Sequence, residues 1–336
     1  MLEFTEDELD DIRSESQRAY DLDRAHVFHS WSAQKQLTPM VVSRAAGSYV
    51  YDGEGKPFLD FSSQLVNTNI GHQHPAVVQA IKDQADVLCT INPAHANDKR
   101  SEAARLIAER LPAGLDRVLF TNGGADAIEH AVRMARLHTG KRKVLSRYRS
   151  YHGGTEQAIN ITGDPRRFRN DAGDAGTVHF FGPFLYRSEF HATTQEEETH
   201  RALTHLRRTI ELEGPQTIAA IVLESIPGTA GIMLPTPEYM QGVRALCDEF
   251  GIVYIADEVM AGFGRSGCWF AFEHFDVVPD LVTFAKGVNS GYVPLGGVAI
   301  SDSIYDSFAD VPYPGGLTYS GHPLAAASAV ATITAM

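Results

Sequence analysis

The sequence has little cysteine: three residues in 336, Cys89, Cys247 and Cys268. They stand far apart and form no CxxC pair, so the sequence predicts neither a disulfide framework nor a thiolate zinc site. A reducing compartment fits this usage. No HExxH motif accompanies the histidines of the GHQHP stretch, His72 and His74, and we expect no metal site there.

Positive charge is also scarce. Lys plus Arg total 29 against 42 Asp plus Glu, which gives a formal net charge of -13. An acidic chain repels phosphate backbones and anionic lipid surfaces, so we expect neither a nucleic-acid partner nor a membrane partner. No apolar run approaches the roughly 18 residues of a membrane span, and the first residues, MLEFTEDELDDIRSES, are acidic where a signal peptide is basic. These absences predict a cytoplasmic protein.

The composition is otherwise that of a globular protein, with 43% hydrophobic and 21% charged residues. We divide the chain into an N-terminal segment, residues 1–74, and a large α/β domain, residues 75–336. Within the first part, residues 48–61 (SYVYDGEGKPFLDF) predict strand, Asp-Gly turn and strand, because aromatic and β-branched residues flank the turn. The acidic stretch at the start predicts a helix.

From about residue 75, amphipathic stretches of helical length alternate with short apolar runs: RVLF, KVL, TIAAIVL, IVYIA and LVTFA. Runs that are apolar on both faces suit a parallel sheet covered by helices on both sides. The sequence therefore predicts a doubly wound α/β domain. Residues 323–336 predict a helix that begins after Pro323 and stops without a C-terminal cap, so we expect the natural chain to continue further.

In such a sheet, ligands bind beyond the carboxyl ends of the strands. After RVLF, the turn Asn122-Gly123-Gly124 leads into a helix whose free N–H groups favour a phosphate; an ordinary strand-to-helix turn fits equally well. After KVLSRYRS, Tyr151 lies next to His152 and two glycines, and its ring can lie against a planar ligand. We expect His152 itself to be a hydrogen-bonded structural residue.

Two strands end in carboxylates, Glu224 after TIAAIVL and Asp257 after IVYIA. A buried carboxylate needs a partner, so we expect a cation or a protonated ring nitrogen near Asp257. The alternative is that Asp257 caps a helix or forms a structural ion pair. Lys286 closes the run LVTFA. Apolar surroundings lower the pKa of a lysine below its usual value of about 10.4 and allow it to form a Schiff base, although many lysines at strand ends simply reach solvent.

Gly262, Gly264 and Gly267 match the dinucleotide pattern GxGxxG, which favours a nicotinamide-dependent dehydrogenase instead. That pattern needs its glycines directly after the strand and a full helix after them. Here residues 257–261 intervene and Pro279 follows soon after, so we rank this alternative lower.

Taken together, these features resemble the class III aminotransferases in kind and order. The order is the phosphate-type turn, Tyr-His-Gly, the strand-end Glu and Asp, and then a lysine 29 residues after that Asp. The strings DEVMAGFGRSG, FAKGVNSGYVPLGG and TYSGHP carry the resemblance, which runs from about His26 to the end of the chain. It implies an α/β protein of the pyridoxal-phosphate (PLP) transferase fold type I, like aspartate aminotransferase. That fold has a mostly parallel central sheet with helices on both faces, here with a partial small domain.

The resemblance also implies roles for individual residues. Lys286 would hold the cofactor as an aldimine and move the substrate proton, and Asp257 would keep the pyridine nitrogen protonated. The other cofactor contacts that it implies are Gly124 and Ala125 at the phosphate, Tyr151 and Val259 on the two ring faces, Glu224 near the cofactor and substrate, and Thr318 at the phosphate of the neighbouring subunit. A homodimer with shared active sites is therefore implied.

Some positions depart from the family's pattern. Ser225 stands where proline is usual and Met260 where glutamine is usual, while Gly123 and Ala125 stand where the phosphate loop commonly has serines. The family's C-terminal segment, with half of the small domain and the substrate-carboxylate arginine, is absent from this chain.

We therefore expect an aminotransferase that moves an amino group from an amine or ω-amino acid to a 2-oxo acid, preferably pyruvate, by a ping-pong mechanism. Candidate substrate residues are Trp31, Gln64 and Leu65. Two alternatives stay open: an aminomutase or decarboxylase on the same fold, and a catalytically silent paralogue that acts as a dimerisation or regulatory subunit.

Overall fold

The computed structural model describes residues 1–170, 173 and 175–336. The helices are α1 (Glu6–His26), α2 (Ser63–Val66), α3 (Pro75–Val87), α4 (Asp98–Ala108), α5 (Gly124–Thr139), α6 (Glu156–Ile161), α7 (Gln195–Glu213), α8 (Pro237–Phe250), α9 (Asp302–Asp306) and α10 (Pro323–Ala335). The strands are β1 (Val42–Ala46), β2 (Tyr49–Asp52), β3 (Pro57–Leu59), β4 (Arg117–Thr121), β5 (Lys143–Arg147), β6 (Thr177–Phe180), β7 (Ile218–Glu224), β8 (Val253–Asp257), β9 (Leu281–Phe284) and β10 (Gly296–Ile300). None of the described helices combines the length and apolar character that crossing a membrane requires.

The N-terminal part of the chain forms a helix and a small antiparallel sheet. Helix α1 begins at a capping box, in which the side chains of Thr5 and Glu8 each accept a backbone N–H of the other residue. Strands β2 and β3 pair antiparallel, and β1 adds to the edge formed by β2. The predicted helix and hairpin are confirmed, and the assignment of residues 1–74 to an N-terminal segment that forms part of a small domain stays a prediction.

The large sheet has seven strands in the order β4-β10-β9-β8-β7-β5-β6. The pairs β9–β8, β8–β7, β7–β5 and β5–β6 are parallel. Strand β10 is antiparallel to both of its neighbours, β4 and β9. The predicted, mostly parallel sheet is therefore confirmed. Because the carboxyl ends of parallel strands meet at one edge, the residues that follow β5, β7, β8 and β9 lie together there.

Both faces of this sheet are buried under helices. In β7, Ile221 and Leu223 pack in a core cluster that includes α4, α7, α8 and α10, while Ala220 and Val222 pack in a second cluster with α5 and α6. Every residue of β7 is buried. This two-sided burial explains why the strands are apolar throughout and why their composition predicted them.

Strands β6 and β10 are absent from the sequence-based prediction. Glycine is unfavourable in strands, so the GGVAI stretch of β10 suggests a loop. The structure gives the reason for its glycines. A Cβ added at Gly297 would press on the ring of Phe284 and lie 2.9 Å from the carbonyl oxygen of Leu119, and one at Gly296 would lie 2.6 Å from the carbonyl oxygen of Gly123.

We predict that Gly297→Ala destabilises the protein by about 1–3 kcal/mol, because a well-packed core does not accept an extra methyl group. Gly316→Ala is the matched control, since a Cβ at Gly316 meets no atom within 4 Å, and we expect it to change the stability by no more than about 0.5 kcal/mol. Urea unfolding of the three proteins measures both effects. Equal midpoints for the two variants would contradict the packing described at β10.

Candidate active site

Strand β8 ends in a buried carboxylate that is paired with a buried imidazole. Asp257 is 4% exposed, and its Oδ2 lies 2.7 Å from Nδ1 of His152. The other oxygen accepts hydrogen bonds from the backbone N–H of Val259 (3.1 Å) and the hydroxyl of Thr283 (3.4 Å). On the far side of the imidazole, Nε2 lies 3.1 Å from the hydroxyl oxygen of Ser146 in β5. A carboxylate only accepts, so Nδ1 carries the hydrogen that joins this pair.

The prediction that Asp257 has a partner is thus confirmed. His152 is hydrogen-bonded, as expected, and its partner Asp257 is a predicted site residue. A polar residue directly after a strand end, in the same turn as Tyr151, was the sequence signal for it.

Glu224 at the end of β7 lies beside Asp257, since the two residues are register partners on neighbouring strands. The Glu224 carboxylate is buried and accepts hydrogen bonds from the backbone N–H groups of Tyr151 (3.0 Å) and Gly228 (2.9 Å). Burial raises the pKa of Glu224, while the nearby ring of His152 opposes that rise. Glu224 therefore ties the turn after β5 to the loop after β7.

Lys286 follows β9 directly and has a left-handed backbone, with φ 42°. Burial lowers the pKa of its amine, and the carboxylates of Asp257 and Glu224 oppose that fall. Lys286 is partly buried at the end of β9, and its role as the reactive amine stays a prediction. A lysine with a lowered pKa holds more of its amine in the neutral, nucleophilic form at a given pH.

Helix α5 begins beside this group and directs its first N–H groups outwards. The first N–H groups of a helix lack partners within the helix and form an anion site. A Cβ at Gly124 would lie 2.7 Å from Val259 Cγ1, and one at Gly153 would lie 2.6 Å from the Cβ of Ala125. Only glycine allows such close approach, so the helix start, Val259 and the turn at Tyr151 form one cradle.

An arginine that the sequence analysis did not single out also lies at the site. The guanidinium carbon of Arg166 lies 3.8 Å from the centroid of the Tyr151 ring. Arg166 is held by the carboxylate of Asp164, at 2.8 Å, and by the hydroxyl of Thr229, at 3.0 Å. The positive charges of Arg166 and Arg265 both act on Lys286. The sequence feature that could have pointed to this arginine is the pair Arg166-Arg167, a short basic run in an acidic chain.

The two unusual residues Ser225 and Met260 take part in packing. Ser225 is buried and donates its hydroxyl hydrogen to the carboxylate of Glu258. Burial raises the pKa of Glu258 to about 7, although the Ser225 hydroxyl and two backbone N–H groups favour its ionised form. Met260 lies against Gly228 and lines a cavity of about 630 Å³ with Thr229 and others.

Among the residues that the structure describes, four of the predicted site residues, namely Thr318 and the candidate substrate residues Trp31, Gln64 and Leu65, have no hydrogen bond to this group. Trp31 is 68% and Leu65 is 63% exposed, and Thr318 is exposed as well. The side chain of Gln64 donates to the carboxylate of Asp60 at 2.9 Å. Within the described part of the chain, no hydrogen bond connects these four residues to Lys286 or Asp257, so their roles stay predictions.

The residues at the sheet edge fit pyridoxal phosphate. Its phosphate suits the start of α5, because the first N–H groups of a helix lack partners within the helix. Its pyridine nitrogen suits Asp257, whose buried carboxylate is held in place by His152. Its aldehyde suits the desolvated amine of Lys286. By contrast, residues 258–269 after β8 contain no helix, so the GxGxxG match there lacks the helix that a dinucleotide site requires.

Comparisons with known proteins agree with this reading of the site. The family pattern described as Aminotransferase class-III matches residues 31–336. The taurine:2-oxoglutarate aminotransferase of Bifidobacterium kashiwanohense, solved with PLP and glutamate, is 45% identical to this chain with a TM-score of 0.92, covering 99% of this chain and 73% of that one. An (S)-enantioselective omega-transaminase from Thermomicrobium roseum is 38% identical with a TM-score of 0.89, covering 95% and 74%.

Two curated relatives come from Pseudomonas aeruginosa. Its 5-aminovalerate aminotransferase is 36% identical over 305 residues, covering 89% of this chain and 68% of the relative. Its putrescine–pyruvate aminotransferase is 33% identical over 327 residues, covering 93% and 71%. The family match, the PLP-binding relatives and the fold all agree, and the chain therefore belongs to the class III aminotransferases, PLP-dependent enzymes of fold type I.

Proposed function

We propose that this chain moves an amino group from an amine, preferably an ω-amino acid, to a 2-oxo acid in two half-reactions of a ping-pong cycle. The observation that carries the proposal is the position of Lys286 just after β9, at the edge of the sheet where the buried carboxylates Asp257 and Glu224 end the neighbouring strands β8 and β7. The family membership supports amino-group transfer as the reaction.

Each residue at the sheet edge then has a task. When bound, PLP supplies an aldehyde that condenses with amines and a ring that takes up the electrons released at the substrate carbon. Lys286 Nζ would hold the cofactor, and its amine would then take the proton from the substrate carbon and deliver it to the former aldehyde carbon of the cofactor, so that the nitrogen stays with the cofactor. Asp257 holds a positive charge on the pyridine nitrogen, and His152 keeps its carboxylate oriented. Gly124 and Ala125 bind the phosphate through their N–H groups.

The remaining residues would enclose the cofactor and complete the dimer. We assign Val259, which contacts the start of α5 at Gly124, and Tyr151 to the two faces of the ring. Glu224 fixes the turn that carries Tyr151, through the hydrogen bond to its N–H. We assign Thr318 to the phosphate of a second subunit and propose a homodimer, for which the 93% exposed Phe61 supplies apolar surface.

The charges around Lys286 favour a donor with an anionic end. Arg166 and Arg265 are cations in a chain with a net charge of -13, and a guanidinium binds carboxylate or sulfonate oxygens through paired hydrogen bonds. By their names, two of the similar proteins act on 5-aminovalerate and taurine, which carry an amine at one end and an anion at the other. We propose such ω-amino acids as donors, with Trp31, Gln64 and Leu65 as further substrate contacts.

For the acceptor we propose pyruvate, which the name of the putrescine–pyruvate relative also contains. The similar protein that is 45% identical uses 2-oxoglutarate by its name, so a panel of both acids decides between them. A dependence on either acid separates a transaminase from an aminomutase or decarboxylase, neither of which needs one. The cytoplasmic location stays a prediction.

We predict that borohydride reduction of the PLP-loaded protein labels Lys286 and no other lysine to a comparable extent. The reduction makes the bond between the lysine nitrogen and the aldehyde carbon permanent. Burial lowers the pKa of Lys286, so labelling reaches half of its maximum below the usual lysine pKa of about 10.4. Peptide mass spectrometry measures the label, with Lys286→Ala as the negative variant and Lys99→Ala as the surface control. An unlabelled Lys286 in the unaltered protein rules out the proposed function.

Asp257→Asn removes the negative charge that holds the ring nitrogen positive, and we predict a loss of at least about 100-fold in kcat. PLP binding, followed by absorbance, changes far less, because the phosphate contacts remain. Asp276→Asn is the control, since Asp276 is exposed and its left-handed backbone suits asparagine. If both variants keep full activity, Asp257 has no electrostatic role in the reaction.

Arg166→Ala tests the choice of donor. We predict that it raises KM for 5-aminovalerate and taurine by roughly 10-fold to 100-fold, the worth of a charged hydrogen bond, and leaves KM for putrescine nearly unchanged. Arg207→Ala, which breaks an exposed ion pair with Glu249, is the control. A uniform rise in KM for all three donors would mean that Arg166 acts by packing on Tyr151 and does not bind the anionic end of the donor.

A further inference from the structure

The turn that carries Lys286 has a strained backbone. Lys286 (φ 42°) and Ser290 (φ 58°) both adopt left-handed conformations without being glycine, and so does Phe263 (φ 56°) in the neighbouring loop. Such conformations are unfavourable for residues with side chains, and they persist only where the surrounding structure holds them. The direction of the lysine amine therefore depends on whatever fixes this turn.

The side-chain amide of Asn69 contacts both strained segments. Its Nδ2 donates to the carbonyl oxygen of Gly287, at 3.1 Å, and to the carbonyl oxygen of Phe263, at 3.0 Å. Gly287 directly follows Lys286, and a Cβ there would lie only 3.0 Å from the same Nδ2. Two carbonyl acceptors require a donor group, so the nitrogen of the amide, and not its oxygen, faces them. A residue far away in the sequence thus joins the loops after β8 and β9.

Neighbouring residues extend this contact. Three further hydrogen bonds join residues 69–74 to the lysine loop, residues 286–292: Ile70 N to Ser290 Oγ (3.3 Å), Tyr292 Oη to Gly71 O (2.9 Å), and His74 N to Tyr292 Oη (2.6 Å). Of the four residues in this segment that make these hydrogen bonds, Asn69 is the one that binds Gly287, the residue next to the lysine. It is therefore the contact through which the N-terminal segment acts on Lys286.

We propose that Asn69 is a positioning residue for Lys286. Its amide donates to the carbonyl oxygens of Gly287 and Phe263 and so stabilises the left-handed turn. The turn in turn fixes the direction in which the Lys286 amine points. The inference rests on the proposed function, in which Lys286 is the reactive amine. It adds a residue of the N-terminal segment to the machinery at the carboxyl ends of the strands.

The test measures the rate at which Lys286 becomes labelled after mixing the full chain with PLP, with borohydride added at successive times. We expect Asn69→Ala to slow labelling by about tenfold or more, as a small misplacement of a reacting group does. Gln79→Ala is the matched control, because it removes an exposed amide that donates to Asp83 on the same helix, and we expect it to keep the original rate. Melting temperatures above the assay temperature show that each variant is folded.

Asn69→Asp separates positioning from a merely structural role. The variant has the same shape, but an ionised carboxylate repels both carbonyl oxygens, whereas a protonated one donates a single hydrogen bond. The titratable and charged groups near position 69 are Lys286, next to Gly287, and Arg265, Cys268, Glu273 and the last residue of the chain, Met336, which line the same cavity as Asn69. We expect the labelling rate, divided by that of the unaltered protein at the same pH, to rise as the pH falls. Asn69→Ala should give a ratio that does not change with pH.

Three outcomes would overturn the inference. Unchanged rates in both Asn69 variants, with Lys286 labelled in the unaltered protein, remove the positioning role and leave the proposed function intact. An equal loss in Gln79→Ala also removes it. An unlabelled Lys286 in the unaltered protein overturns the proposed function and the positioning role with it. If Asn69→Ala does not fold, the isosteric Asn69→Asp carries the test through the pH dependence of its rate.

Discussion

The site depends on burying charged groups together at the carboxyl ends of neighbouring strands. A lone carboxylate in that position would take up a proton or destabilise the fold. Glu224 instead accepts two backbone N–H groups, Asp257 faces His152, and Glu258 accepts a hydroxyl. Asp257 and Glu224 oppose the fall in the pKa of Lys286 that burial causes. The amine is therefore desolvated, while the nearby carboxylates still stabilise its protonated form. Such a balance suits a group that acts both as a nucleophile and as a proton carrier.

Close packing of the backbone brings these groups within reach of one another. Gly124 allows the start of α5 to pack on Val259, and Gly296 allows β10 to pass next to the turn before α5. These glycines have no chemistry of their own, but a side chain at either position would push apart the elements that carry the phosphate site and the carboxylate. The antiparallel strand β10 is thus as much a part of the site's geometry as the parallel strands that end there.

Much of this arrangement was predictable from the sequence, for a physical reason. A strand buried on both faces is apolar along its whole length, so a terminal Glu224, Asp257 or Lys286 stands out against it. The polar neighbours did not stand out. His152 and Asn69 act through hydrogen bonds to residues more than a hundred positions away, and no local pattern encodes such a contact. Strand β10 was missed because packing against Phe284, and not strand propensity, selects its glycines.

The charge distribution bears on which substrates can reach the lysine. The chain as a whole is acidic, with a net charge of -13, and its field repels simple anions before they arrive. An ω-amino acid carries no net charge at neutral pH, so it meets little of this repulsion. Close to Lys286 the field is no longer uniform, because Arg166 and Arg265 lie near Asp257 and Glu224. Under the proposed function, a zwitterionic donor would orient there with its anion toward the guanidinium groups and its amine toward the carboxylates.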